Sequence, residues 1–172
     1  MNKTYCFLDR DDQNPHAEFD LDGEQFLILL DTATRYCAYF SFDIFHGGVG
    51  IPENMTHGIE QLCKFEISPQ KSLLKRNAQN NSYWFEPTNY ATRHYYYYSP
   101  AACSFIKKNY SSIFSLIFHE EKHNPENLIF YRPDHSIFFL STTHEGECFL
   151  FPSPNENVKD LLCNSNWKEI IY

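Results

Sequence analysis

Two histidines four residues apart, with a glutamate beside the first, form the one stretch that matches a recognised catalytic spacing: His119-Glu120-Glu121-Lys122-His123. On a helix, positions i and i+4 share a face, so both imidazoles could hold one zinc ion while Glu120 takes the proton of a metal-bound water. That chemistry needs a helix that persists to His123. The nearest candidate opens at Ser99-Pro100, an N-cap followed by proline at the first helical position, and carries Ile106, Tyr110, Ile113, Phe114 and Ile117 at helical spacing. It is expected to run to about His123, ahead of Pro125. The motif then falls on a helix terminus, where His and Lys interact well with the dipole and a polar tail is expected without any metal.

The H-E-x-x-H spacing resembles that of the zincin metallopeptidases over five residues of 172, with charged Glu121 and Lys122 where that family usually has uncharged residues. The longer metzincin pattern is not met, because Glu126 and Ile129 stand where Gly and a third His are required. The resemblance implies a zinc-dependent hydrolase with His119 and His123 as ligands and Glu120 as base; this is the alternative reading. Other motifs fail on spacing. His46-Gly47-Gly48 follows a predicted strand as an oxyanion-hole segment would, but no G-x-S-x-G accompanies it. Glu18-x-Asp20-x-Asp22-Gly23 has the form of half a calcium loop, yet Leu29 occupies the position that needs Glu. No cofactor is expected.

Charge points elsewhere. The chain carries a net charge of −8, and residues 1–31 hold eight acids against Lys3 and Arg10, a local net of −6. A nucleic-acid binder needs a basic footprint to neutralise phosphates, so direct binding of nucleic acid is excluded as the leading function. An acidic face suits a basic protein partner, although it also serves as a solubility device. The contact residues expected for such a partner are Asp9, Asp11, Asp12, Glu18, Asp20, Asp22 and Glu24, with Tyr95, Tyr96, Tyr97 and Tyr98 as anchors. Successive tyrosines in a strand alternate faces, so at most half can be buried together. In size, charge and lack of catalytic motifs the chain is similar to small bacterial immunity proteins. That resemblance implies an inhibitor of a cognate toxin such as a nuclease.

The supporting elements suggest one α+β domain of 172 residues, with antiparallel sheet and several amphipathic helices. This length buries roughly two thirds of the unfolded surface without disulfides or metal. Alternation predicts a strand at 4–8, a hairpin of 17–21 and 24–30 about Asp22-Gly23, and a long strand at 34–45. Gly47, Gly48 and Gly50 mark a turn. Met55, Ile59, Leu62 and Cys63 suggest a short helix, and Ser68-Pro69 a further helix start. Strand character returns between 83 and 98. Runs at 128–132, 136–141 and 147–151 predict a meander with turns at Pro133-Asp134 and His144-Glu145-Gly146. Ser153-Pro154-Asn155-Glu156 has the capping-box pattern of a last helix with Val158, Leu161 and Leu162 inward. The six cysteines lack C-x-x-C spacing and are expected as buried free thiols, among them Cys37 and Cys63. Apolar runs such as 26–30 are too short to span a membrane, and the start lacks a signal-like apolar segment, so a cytoplasmic location is expected.

Overall fold

The computed structural model describes residues 3–11, 14–45, 59–67, 91–116, 125–164 and 166–171. Alternating apolar side chains build most of it into sheet. The strands are β1 (Thr4–Leu8), β2 (Arg10–Asp11), β3 (Asn14–Glu18), β4 (Tyr39–Phe45), β5 (Ala91–Tyr97), β6 (Glu126–Tyr131), β7 (Ile137–Thr142), β8 (Glu147–Leu150) and β9 (Trp167–Ile170). Seven form one antiparallel sheet in the order β5-β4-β6-β7-β8-β1-β9, and β2 pairs with β3 separately. The predicted meander is present as β6, β7 and β8. The described residues hold three α-helices, α1 (Gly23–Tyr36), α2 (Pro100–Asn109) and the single turn α3 (Lys159–Leu162), in keeping with the α+β class.

Because strand side chains alternate, Phe40 and Phe42, Tyr96, Phe130, Phe139, Cys148, Leu150 and Phe7 share one face of the sheet. That face packs against Phe26, Leu29, Leu30 and Ala33 of α1 and Ala102, Cys103, Phe105 and Ile106 of α2, all in one core. The opposite face carries a smaller cluster of Ile67, Tyr95, Ile129, Tyr131 and Leu140.

Where a hairpin was expected over 17–30, the chain forms α1. A strand would send Phe26, Ile28 and Leu30 to one side and Leu27 and Leu29 to the other. The helix instead gathers Phe26, Leu29, Leu30 and Ala33 at i, i+3, i+4 and i+7 and leaves Leu27 outside, 43% exposed. Burial of each Phe or Leu contributes roughly 1.5–3 kcal/mol, which outweighs the local turn signal. Asp22 takes the N-cap position and Gly23, at φ +50°, makes the sharp entry that a Cβ would strain. The expected strand at 34–45 is accordingly shortened to β4.

Ser99 caps α2 as predicted, its Oγ accepting from the Ala102 N–H at 3.2 Å. The helix nevertheless ends at Asn109, well before His123. The Asn109 Nδ2 donates to the Phe105 carbonyl, and the following amides are taken by another segment: Ile113 N–H donates to Leu21 O and Phe114 N–H to Asp20 Oδ1. Long-range partners thus replace the i−4 carbonyls.

The Ser153–Glu156 pattern forms a turn, with the Ser153 N–H donating to Glu156 Oε2 at 2.7 Å, but the helix starts only at Lys159. Arg132 holds Glu156 in place through Nε and Nη2 (2.6 and 2.7 Å), and also donates to Ser136 Oγ, Ile137 O and Phe151 O. All six cysteines are free thiols, with Cys37, Cys103 and Cys148 buried and Cys6 half-buried and pushed up to about 11 by burial. Cys63, expected inside, is exposed, as is Cys163. Residues 59–65 form a 3₁₀ helix in place of the expected α-helix; its predicted start at Met55, the glycine turn, Ser68-Pro69 and positions 83–90 lie outside the described residues. No helix among the described residues is long and apolar enough to cross a membrane.

Candidate functional site

One of the acidic residues expected to bind a partner, Asp9, lies at the turn between β7 and β8. β1 delivers Asp9 there: its N–H donates to Gly146 O, and its own carbonyl accepts from the Phe19 N–H, both at 2.7 Å. The chain therefore returns beside Asp9 just before Asp20, Asp22 and Glu24. Gly146 sits at φ +65°, and the Asp9 carboxylate fills the space that a Cβ there would take. Glu145 and Glu147 flank it. Burial, followed by the charges of Glu145 and Asp9, raises the Glu147 carboxyl above its ordinary value. Asp22 and Glu24 stand exposed at the start of α1.

Other acids are engaged in structure. Asp20 turns inward to the Phe114 amide, and Asp31 pairs with Lys107 at 2.6 Å. Lys3 is paired with Glu169 at 2.8 Å. Asp11 and Glu18 lie on β2 and β3, and Asp12 lies outside the described residues.

The tyrosines do not act as one group. Tyr96 and Tyr98 enter the main core, Tyr96 stacked on Phe40 with centroids 5.0 Å apart and Tyr98 donating its hydroxyl to Leu30 O at 2.9 Å. Tyr95 is buried on the opposite face against Tyr131, 6.0 Å away. Only Tyr97, 53% exposed, presents its ring to solvent, so three of the four expected anchors are interior residues. Tyr97 lies opposite Tyr39 in the β4–β5 register, on the face of the sheet away from α1.

A polar centre invisible to spacing lies where β4, β5 and β6 meet. Asp43 and Arg93 are directly opposite in register and form two hydrogen bonds, Nε to Oδ1 at 2.6 Å and Nη2 to Oδ2 at 2.7 Å. Burial opposes the charge on Arg93, but the hydrogen bonds and charge of Asp43 outweigh it and hold the guanidinium protonated. Asn127, at φ +54°, donates Nδ2 to Asp43 at 2.8 Å, and its Oδ1 accepts from the Thr143 amide and hydroxyl. Beside it the fully buried Glu126 carboxylate lies 2.8 Å from Nε2 of the half-exposed His144. A buried carboxylate against an imidazole fixes the orientation of the ring. Asp43, a charge inside the apolar run Tyr39-Phe-Ser-Phe-Asp-Ile-Phe45, is the sequence signal for this centre. Its partner is 50 residues away, and only sheet register reveals it.

His119, Glu120 and His123 lie outside the described residues. Among the described residues no group of three or more His, Cys, Asp or Glu is placed to hold a metal ion. Compared with protein-family models, curated proteins and solved structures, the chain matches none.

Proposed function

We propose that the chain is an acidic protein-binding module that blocks a basic partner: an immunity-type inhibitor of a bacterial toxin such as a nuclease, acting in the cytoplasm. The supporting observation is the corner formed by Asp9, Glu145 and Glu147, with Asp22 and Glu24 on the returning chain. Burial raises the Glu147 carboxyl and the charges of Glu145 and Asp9 raise it further, so the carboxylates of this corner repel one another. The free protein gains nothing from that repulsion, and a cationic surface removes it on binding. A nuclease cleft built for phosphates offers such a surface, and carboxylates compete there with the substrate. Exposed Leu27, three residues along α1 from Glu24, adds apolar contact beside the charges. In this reading neither nucleic acid, membrane nor cofactor takes part.

The test is co-expression with the product of the adjacent gene, followed by calorimetry at low and high ionic strength. The expected result is a stoichiometric complex with a basic protein, weakened by salt. Asp22→Lys/Glu24→Lys/Glu145→Lys should lower the affinity at least about tenfold. A partner without basic character, or an affinity that the triple variant leaves unchanged, refutes the assignment.

A further inference from the structure

The β6–β7 turn keeps a histidine where glycine would fit more easily. Its residues are Arg132-Pro-Asp-His-Ser136, and the Arg132 carbonyl accepts from the His135 N–H while the Arg132 N–H donates to Ser136 O, both at 2.9 Å. This is a three-residue hairpin loop whose last residue is left-handed, the position that favours glycine. His135 occupies it at φ +70°, one of two non-glycine residues at positive φ among those described. The other, Asn127, is explained by its bonds to Asp43 and Thr143. For His135 the ring gives the reason. Its centroid lies 5.3 Å from that of Tyr39, which lies 5.7 Å from Tyr97, so three rings run side by side across the turn, β4 and β5. Neighbouring planes are inclined at 58° and 45°, so the rings do not cover one another face to face.

We propose that this ladder, His135-Tyr39-Tyr97, together with Asp134 of the same turn, receives an arginine side chain of the basic partner. The inference rests on the reading of a basic partner but concerns the sheet face away from α1. Asp134 is exposed, and its Oδ1 accepts from the Ser136 amide and hydroxyl at 2.9 and 2.6 Å, which fixes the carboxylate within the turn that carries His135. The same bonds hold the Asp134 carboxyl below its ordinary value, so it is ionised at neutral pH. The basic residue of this turn, Arg132, pairs directly with Glu156, Ile137 O and Phe151 O and reaches Asp134 only through the shared Ser136 hydroxyl. A planar guanidinium can lie on a tyrosine face and pair with a carboxylate at once. An ammonium matches only part of this arrangement, an apolar side chain wastes the carboxylate, and a nucleotide would bring its phosphates against Asp134 in a chain of net charge −8.

The probe is acetyl-Gly-Arg-Gly-amide, titrated into the full chain while the ring resonances of His135 and Tyr97 are followed by NMR. Saturable shifts of both rings are expected, with the lysine peptide roughly fivefold weaker or more. Tyr97→Ala should abolish binding and Asp134→Asn weaken it, while Asp22→Lys/Glu24→Lys/Glu145→Lys should leave it unchanged. His135→Gly separates ligand contact from folding: it should raise the thermal midpoint by relieving the backbone and weaken arginine binding. Absent saturation, equal binding of the lysine peptide, or a less stable His135→Gly protein overturns the proposal. Because the probe does not involve the partner or the acidic corner, failure here leaves the corner's own test standing, and loss of the partner complex leaves this one interpretable.

Discussion

Replacing Arg93 by Met tests whether the Asp43–Arg93 pair holds β4 and β5 together. The two side chains are 3% and 6% exposed, and both guanidinium bonds are short and charge-assisted. Methionine fills much of the volume but leaves a buried carboxylate facing Asn127 without its cation. Breaking such a pair from one side costs about 3–5 kcal/mol. At about 2–4 °C per kcal/mol for a chain of this size, the thermal midpoint should fall by about 6–20 °C. Asp43→Leu should also destabilise, because it removes the carboxylate that both guanidinium bonds reach. The double variant Asp43→Leu/Arg93→Met removes both charges and should recover most of the loss. It retains only the cost of an Asn127 amide without its acceptor, about 1–3 kcal/mol. Urea unfolding of all four proteins, with the slope checked for two-state behaviour, gives the coupling directly. A double-variant loss equal to the sum of the two single losses would refute the reasoning, since it would mean that neither charge depends on the other.

Three further outcomes follow from local geometry. Gly146→Ala should destabilise by at least about 1–2 kcal/mol in urea unfolding, because a left-handed backbone gains a Cβ in space held by the Asp9 carboxylate; an unchanged midpoint would show that Asp9 yields freely. Glu147 binds its proton more tightly folded than unfolded, so its contribution is full below its unfolded value of about 4.3 and is lost as pH rises through the higher folded one. Glu147→Gln should therefore stabilise the protein at neutral pH and lose that advantage as the pH falls below the unfolded value, and a pH-independent difference between the two unfolding curves would contradict this. Ser99→Ala removes the α2 cap and should cost about 1 kcal/mol, read as a lower thermal midpoint, whereas Ser99→Thr should retain most of the stability.

Elements in which local and long-range forces agree were legible in the sequence. The meander is one: period-two alternation, the Pro133-Asp134 turn and Gly146 all favour the hairpins that form. The N-cap of α2 is another. Disagreement arose where a short apolar run satisfied two periods. Residues 26–30 are apolar throughout, so alternation and helical spacing both fit, and the deciding term is the aromatic sheet face against which α1 packs. The end of α2 was illegible for a related reason, because the amides of Ile113 and Phe114 find partners in Leu21 and Asp20, more than ninety residues away. At Glu156 the capping pattern was present but served Arg132. In each case the side chain or amide keeps its local chemistry but finds its partner far along the chain.

The same distinction governs the surfaces. Composition placed the excess of acid in the first 31 residues, and the fold brings Asp9 to the Gly146 turn and leaves Asp22 and Glu24 exposed at the start of α1, while assigning Asp20 and Asp31 to internal and intramolecular bonds. It also adds Glu145 and Glu147, which belong to no acidic run and join the corner only through β1–β8 pairing. The tyrosine run is divided by alternation: Tyr96 and Tyr98 face α1 and the core, Tyr95 packs on Tyr131, and Tyr97 stands exposed beside Tyr39. Acidic corner and aromatic ladder therefore do not form one patch. β5 is an edge strand and β1 lies near the other end of the sheet order, so four strands separate Tyr97 from Asp9. At about 4.8 Å between neighbouring strands, five steps place them roughly 24 Å apart, about the width of a standard protein interface and beyond the Debye length at physiological salt. A basic partner that uses both must span the sheet. Charge would then govern its approach at the corner, while close ring contact at the ladder would govern how long it stays.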